Sequence, residues 1–394
     1  MTRILVLSPF FPYPSYDGGR MDVSQRLEAL RKLGYHVHLL ACTTPKETKE
    51  VEALERKGIT WQALPIRHRQ YQRLFSWKPY AMACRSDKDI LDASLRAIQG
   101  KKFSILIAEF HHSLPLASYL MKNTEIPHFY LRVHNREAKY HREIANSSSL
   151  SVRKALFYLD SIKFSLFENK MLTMTPTPPT LLHISYAEEK WYKKHYPHLS
   201  QTVLPASIDI NQMRGYSPKN KKQLLFIGSF FSANNVDGLR WYAQKIHPEL
   251  TKACPEYQFV AAGNSGGGSL GSIKHLFRGA KNVKIYDTPK DLKPLYASSS
   301  VFVNPMQKGS GVKIKTLEAI LNGLPVVSTP VGNEGTGLHH REHVKVASSP
   351  EKFIKETLSL LHDETIKNSM VCGAQDFIKT NYDLLKNLKH IMKN

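Results

Sequence analysis

Lys313, Lys315 and Glu318 are the side chains in this sequence best placed to do chemistry together. They follow a Gly309-Ser310-Gly311 loop and open a stretch with helical spacing, about Val312 to Leu321, that stops at Gly323. Small residues at the mouth of a helix let backbone N–H groups approach an anion, and the helix dipole favours negative charge there. Two cations in a first turn oppose that dipole. Their placement makes sense where an anion such as a phosphate lies between them. Glu318, one turn further on, is placed to accept two ribose hydroxyls, as acids do in other nucleotide sites. A solvated basic helix end is the alternative reading of the same residues.

The elements that must hold this group alternate strand and helix. Gln223 to Ile227 is a strand, and Gly228-Ser229 opens a loop into a helix from Val236 to Leu250. Strands over Tyr257–Ala262, Val283–Tyr286, Val301–Pro305 and Leu324–Ser328 follow, and then helices over Lys352–His362 and Glu364–Lys379. The N-terminal part has the same alternation. Ile4 to Leu7 is an apolar strand, a Pro-rich loop leads to Gly18-Gly19, a helix runs from Met21 to Leu33, and His36 to Ala41 is a second strand. A glycine pair between a strand end and a helix start is where open parallel sheets bind ligands. It is not a GxGxxG fingerprint, so no dinucleotide site is expected. Further buried strands end at Glu109 and at Val133, the second leading directly into His134. A histidine there can hydrogen-bond a sugar hydroxyl without committing to a charge, or can simply cap the next helix. Glu109 is either an acceptor-site residue or the partner of an arginine such as Arg132 or Arg136. The apolar residues of a long helix over Ser151–Met171, among them Leu156, Leu159, Ile162, Phe164 and Phe167, are expected in the core.

With 394 residues the chain has room for two domains, each with its own core. A formal charge of +22, spread over both halves, favours anionic partners without choosing among nucleotides, phosphate-linked lipids, an acidic membrane and nucleic acid. The segment holding Arg67, Arg69, Arg73, Trp77 and Lys78 interleaves cations with aromatics, which suits an anionic membrane surface, a nucleic-acid surface or an ordinary solvated face. No nucleic-acid recognition motif is present, so none is expected as a partner. The mean hydropathy of −0.35 fits a soluble protein. The four cysteines lack metal spacing, so no metal is expected. The N-terminal residues read as a strand rather than a signal peptide. A cytoplasmic setting is expected, with peripheral attachment to the inner face of the plasma membrane where the cationic and aromatic segment meets lipid rather than water.

Glu318-Ala319 with Gly323-Leu324-Pro325-Val326-Val327 resembles the donor motif of the GT4 family of retaining glycosyltransferases (glycosyl transferases group 1), which have the GT-B fold. That family usually carries an additional glutamate where this chain has Ser310. A sub-group with a GSG-type loop, and basic residues three and five positions before the glutamate, shares the departure. The loop Asn234-Asn235-Val236-Asp237 resembles that sub-group too. The resemblance implies an α/β architecture of two Rossmann-like domains facing a central cleft. It places an acceptor domain over 1–205, a donor domain over 206–370, and a final helix, 371–394, packing back on the first domain. It implies a nucleotide-diphospho-sugar such as a UDP- or GDP-sugar as co-substrate, a glycan or lipid-linked acceptor, retention of configuration, and no cofactor or metal. Catalytic roles then fall to His134, Lys313 and Lys315. Donor binding falls to Gly18, Gly19, Gly228, Ser229, Asn234, Ser310, Gly311, Val312 and Glu318. Ser229 replaces an arginine common in the family, which leaves phosphate charge to the two lysines. Surface polysaccharide synthesis (capsule, exopolysaccharide or lipopolysaccharide) is the implied setting. Two other readings share this architecture: a catalytically silent nucleotide-sugar-binding protein, raised by Ser310, and a sugar-nucleotide epimerase.

Overall fold

The structure, a computed structural model, describes residues 2–14, 18–43, 48–64, 71–147, 152–173, 177–218 and 221–393. It divides into two compact units, one of Met1–Ile208 with Leu384–Asn394 and the other of Asp209–Asp383.

The first unit is built on a seven-stranded parallel sheet: β1 (Arg3–Ser8), β2 (His36–Ala41), β3 (Thr60–Ala63), β4 (Ile105–Glu109), β5 (His128–Val133), β6 (Thr180–His183) and β7 (Gln201–Val203). Their order is β3-β2-β1-β4-β5-β6-β7. The continuous apolar runs reflect burial on both faces, as a parallel sheet covered by helices requires. Within β1, Leu5 and Leu7 join one core cluster while Ile4 and Val6 join another, so the period-two alternation sends neighbours to opposite faces. Val23, Leu27 and Leu30 of the helix Gly18–Lys32 cover the second face together with Leu388 and Ile391 of the final helix, Leu384–Ile391.

The second unit carries six parallel strands: β8 (Gln223–Ile227), β9 (Gln258–Gly263), β10 (Val283–Asp287), β11 (Val301–Asn304), β12 (Val326–Ser328) and β13 (Lys345–Val346). Their order is β10-β9-β8-β11-β12-β13. In each sheet the order reverses beside the first strand, between β1 and β4 and between β8 and β11. That topological switch point opens a crevice at the carboxyl ends of the strands.

Several expectations change. The chain leaves the second unit at Asp383, not at 370, because Glu364–Asn381 is one uninterrupted helix. The helix expected over Val236–Leu250 is Ala233–Trp241, a π turn at Tyr242–Ile246, and His247–Ala253. The long helix is Val152–Thr173. Phe164 and Phe167 are core as expected, whereas Leu159 and Ile162 are exposed, because they lie on the side opposite those rings.

Candidate functional site

In the second unit the switch point is lined by β8 and β11 and by the helix Ile314–Leu321. Lys313 precedes that helix with non-helical backbone angles, so only Lys315 lies in its first turn. The Lys313 ammonium turns back on its own loop. It donates to the carbonyls of Ser310 at 3.0 Å and Gly311 at 2.8 Å, with Gly309 at 3.4 Å and the Glu334 carboxylate at 3.7 Å. It therefore braces the Gly309-Ser310-Gly311 loop. That loop needs its glycines: φ is +112° at Gly309 and +82° at Gly311.

Lys315 donates to Asn235 Oδ1 at 2.6 Å, and its ammonium lies 4.9 Å from the centre of the Phe226 ring. Asn235 is itself oriented by donating to the Ser229 carbonyl at 2.9 Å. Gly228 permits this cluster, since a Cβ there would lie 2.7 Å from the Lys315 nitrogen. Asn234 is the corresponding neighbour of Gly309, and Val312 packs against Gly335. Gly228, Ser229, Asn234, Ser310, Gly311, Val312, Lys313, Lys315 and Glu318 thus belong to one set of loops and one helix.

The electrostatics are unusual. Burial, and then the Lys313 charge, pull the Lys315 ammonium down to about 7. Burial pushes the Glu318 carboxyl up to about 7, against the pull of Lys315. An ammonium has three donors, and Asn235 takes one of Lys315's. Among the described residues no hydrogen bond or ion pair within 4 Å meets the Glu318 carboxyl, and the Ser310 hydroxyl has no partner either. A cation, a helix N-terminus, a hydroxyl and a carboxyl with spare capacity make a site for a ligand carrying both an anion and hydroxyls.

The first unit holds a buried ionic network at the ends of β1, β4 and β5. Arg26 donates to both oxygens of Glu109, at 2.9 and 2.5 Å, and to Asp22 at 2.8 Å. Arg132 donates to both oxygens of Asp22, at 3.1 and 3.2 Å. It also reaches the carbonyls of Leu204 and, at 3.2 Å, Pro205. Burial alone would raise Asp22, yet Arg132 and Arg26 hold it well below the usual carboxylate range. Glu109 is lowered too, with Arg26 overcoming the same burial. The partner of Glu109 is thus Arg26, since Arg132 is taken by Asp22 and Arg136 pairs with Glu188.

His134 sits on this network with Nε2 at 3.2 Å from Glu109 and 3.7 Å from Asp22. Burial lowers it in spite of the adjacent carboxylates, which favours the neutral ring. Its imidazole stacks on Phe110 at 3.6 Å between centroids, and Phe110 adopts a φ of +61°. A bulky residue held in that region is a strained position of the kind found at functional sites. His134 is therefore a packed network member, not a helix cap. Gly18 and Gly19 begin the helix that carries Asp22 and Arg26.

Two groups of described residues in the first unit bring potential metal ligands together. The ligand atoms of His112, Glu137 and His141 fall within 4.8 Å of one another, as do those of Asp22, Glu109 and His134. Two guanidiniums already neutralise the latter set. In the basic, aromatic segment, Arg67 and Arg69 lie outside the described residues. Arg73 pairs with Asp87, and Trp77 is exposed between Lys78 and Lys170.

Sequence reasoning missed Asn235 as the orienting partner of Lys315, although the Asn-Asn pair after Gly228-Ser229 pointed to it. It also missed Asp22 and Arg26. Their signal was a charged pair four residues apart beside the apolar Val23, Leu27 and Leu30.

A family model described as glycosyl transferases group 1 matches residues 221–363, the segment that holds Gly228, Lys315 and Glu318. Over its whole length the chain is 30% identical to an uncharacterized 44.6 kDa protein in the cps region of Klebsiella pneumoniae, all of which is covered. Among solved structures it resembles sucrose-phosphate synthase from Thermosynechococcus elongatus, with a TM-score of 0.72 at 13% identity over 100% of this chain and 98% of that one. It also resembles Anabaena HepE in complex with UDP and glucose, with a TM-score of 0.68 at 13% identity over 100% and 99%. WaaG, a glycosyltransferase involved in lipopolysaccharide biosynthesis, has a TM-score of 0.65 at 15% identity over 98% and 99%. These likenesses establish the GT-B type of fold.

Proposed function

The chain belongs to the glycosyl transferases group 1 family, and from that membership we propose that it is a GT4-type retaining glycosyltransferase. It moves a sugar from a nucleotide-diphospho-sugar to a glycan or lipid-linked acceptor in surface polysaccharide synthesis. The observation that carries this reading is the pairing of Lys315 with Glu318 on one short helix, each holding spare hydrogen-bonding capacity. The Klebsiella relative's place in a cps region supports the capsule setting, and the UDP and glucose bound by HepE support the donor class.

In this reading Glu318 accepts the ribose hydroxyls. Lys315, the helix N-terminus and the Ser310-Gly311 loop stabilise the diphosphate as it leaves, a demand that fixed cations and dipoles can meet without a metal. Lys313 acts through the loop by holding its carbonyls away from the phosphate side. Departure of the diphosphate leaves an oxocarbenium-like sugar, and a diphosphate oxygen takes the proton of the acceptor hydroxyl. His134, neutral and donating its Nε2 proton to Glu109, accepts from a sugar hydroxyl through Nδ1, and Gly18 and Gly19 give the donor phosphates close access to backbone. The active protein works at the cytoplasmic face of the membrane.

A thermal-shift screen with UDP, GDP, ADP, TDP and their sugar conjugates tests the reading. A ligand at a hundred times its Kd stabilises by about 2.7 kcal/mol, which raises the Tm by roughly 5–10 °C for a unit of this size. Stabilisation by one nucleotide series selects the donor base. No shift with any of them refutes the donor site.

A further inference from the structure

The helix Val152–Thr173 presents two different faces. One is core, where Phe164, Phe167 and Leu172 pack. The other carries Val152, Ala155, Leu159, Ile162 and Leu166 at steps of three and four, which aligns them as one stripe. The four large side chains of that stripe are 44–79% exposed. Beside the helix Phe75 is 93% and Trp77 58% exposed. Trp77 packs on Phe167 with ring centroids 5.1 Å apart, and the ammonium of Lys170 stands 4.7 Å from its ring. A contiguous row of this size on a surface marks an interaction site.

Charge decides its partner. The helix has two acids, Asp160 and Glu168, and both turn away from the stripe. Asp160 accepts the Tyr80 backbone N–H at 3.1 Å, and Glu168 is buried against His111, at 2.8 Å, and the Tyr192 hydroxyl. Lys163 and Lys170 lie on the flank that meets Leu74 and Trp77. An apolar row edged by cations and aromatics, with no outward acid, fits the headgroup region of an anionic bilayer. An antiparallel second copy of the same helix, paired through the stripe, would set its lysine-bearing edge beside the same edge of the other. No helix among the described residues is long and apolar enough to cross a membrane, so contact in the plane of the surface is the remaining geometry.

We propose that the stripe from Val152 to Leu166, with Phe75 and Trp77, lies on an anionic membrane surface. The inference deepens the lipid-facing part of the reading above and rests on it for its biological purpose, while its test is independent of catalysis. The purified full chain is floated with vesicles of phosphatidylcholine alone or with about one-third phosphatidylglycerol. Wild type floats with the anionic vesicles and stays down with the neutral ones. The triple variant Leu159→Ser, Ile162→Ser, Leu166→Ser partitions about tenfold less or weaker still. Lys78→Glu with Lys170→Glu weakens flotation most at low salt. An unchanged thermal midpoint shows that each variant is folded. Absence of wild-type flotation overturns the proposal, as does undiminished flotation of the triple variant. A wild-type dimer that the triple variant dissociates, without flotation, assigns the stripe to a second copy instead. Flotation together with failure of every nucleotide to stabilise the protein would refute the donor reading and leave this one standing.

Discussion

Replacing Lys315 by Met keeps the length of the side chain and removes its charge, and should separate phosphate recognition from nucleoside recognition. A hydrogen bond to a charged group contributes about 1.5–3 kcal/mol, so the Kd for the stabilising nucleoside diphosphate should rise about 10- to 150-fold. Asn235 occupies one of three ammonium donors, so the phosphate can be met without breaking that bond. Wild type also starts from a partly deprotonated lysine, because the group titrates at about 7. An anion must raise that value, so binding takes up a proton above pH 7, and affinity falls up to about tenfold per pH unit until the bound-state pKa is reached. The Met variant lacks this alkaline limb. Glu318, raised to about 7, gives the opposite limb: ribose hydroxyls favour its ionised form, so binding releases a proton below pH 7 and weakens as pH falls. The nucleoside is the cleaner probe of the acid limb, because a terminal phosphate itself titrates near about pH 6. Isothermal titration of nucleoside and nucleoside diphosphate, both proteins, pH 6 to 9, provides the measurement. Equal losses for the two ligands in the Met variant, or a flat wild-type diphosphate affinity from pH 7 to 9, would refute the phosphate role.

Glu318→Ala should weaken nucleoside and diphosphate alike, by about 1–3 kcal/mol, and remove the acid limb in the same titrations. A loss confined to the diphosphate would contradict a ribose contact. Arg26→Met leaves Asp22 and Glu109 buried with one guanidinium fewer, at a cost of about 3–5 kcal/mol in urea unfolding. Both acids are depressed in the folded protein, so their stabilisation is complete above the unfolded values near about pH 4 and is lost as pH falls through the folded ones. The variant should therefore lose less stability between pH 6 and pH 3 than wild type does. His134→Ala should lower kcat about 100-fold once an acceptor is in hand and leave nucleotide affinity unchanged. A matching loss of nucleotide affinity would move His134 out of the sugar-contacting role.

The strands were legible because a parallel sheet buried on both faces demands apolar runs, as in Ile4–Leu7 and Leu224–Ile227. The helix after the Gly309-Ser310-Gly311 loop was legible because Gly309 and Gly311 must reach positive φ and Gly323 must end the helix. What stayed hidden depends on distance along the chain or on which way a side chain turns. Arg26 meets Glu109 across 83 residues and Arg132 meets Asp22 across 110, and no local period encodes such pairs. Lys313 and Lys315 look equivalent in the sequence, yet one folds back on loop carbonyls while the other faces Asn235. Leu159 and Phe164 are both apolar residues of one amphipathic helix. Only the packing of Tyr80, His111 and Tyr192 along its other side shows that the leucine is left outside.

The final helix has a consequence for synthesis on the ribosome. Leu388 and Ile391 close the same core cluster as Ile4, Val6 and Leu27, so the part of the chain made first cannot finish its interior until the last helix emerges. The intervening segment, Asp209–Asp383, contains its own complete sheet and core and can consolidate earlier. During translation the first unit therefore waits with an unsealed apolar face beside β1. That interval is when a nascent chain of this protein has most need of a chaperone.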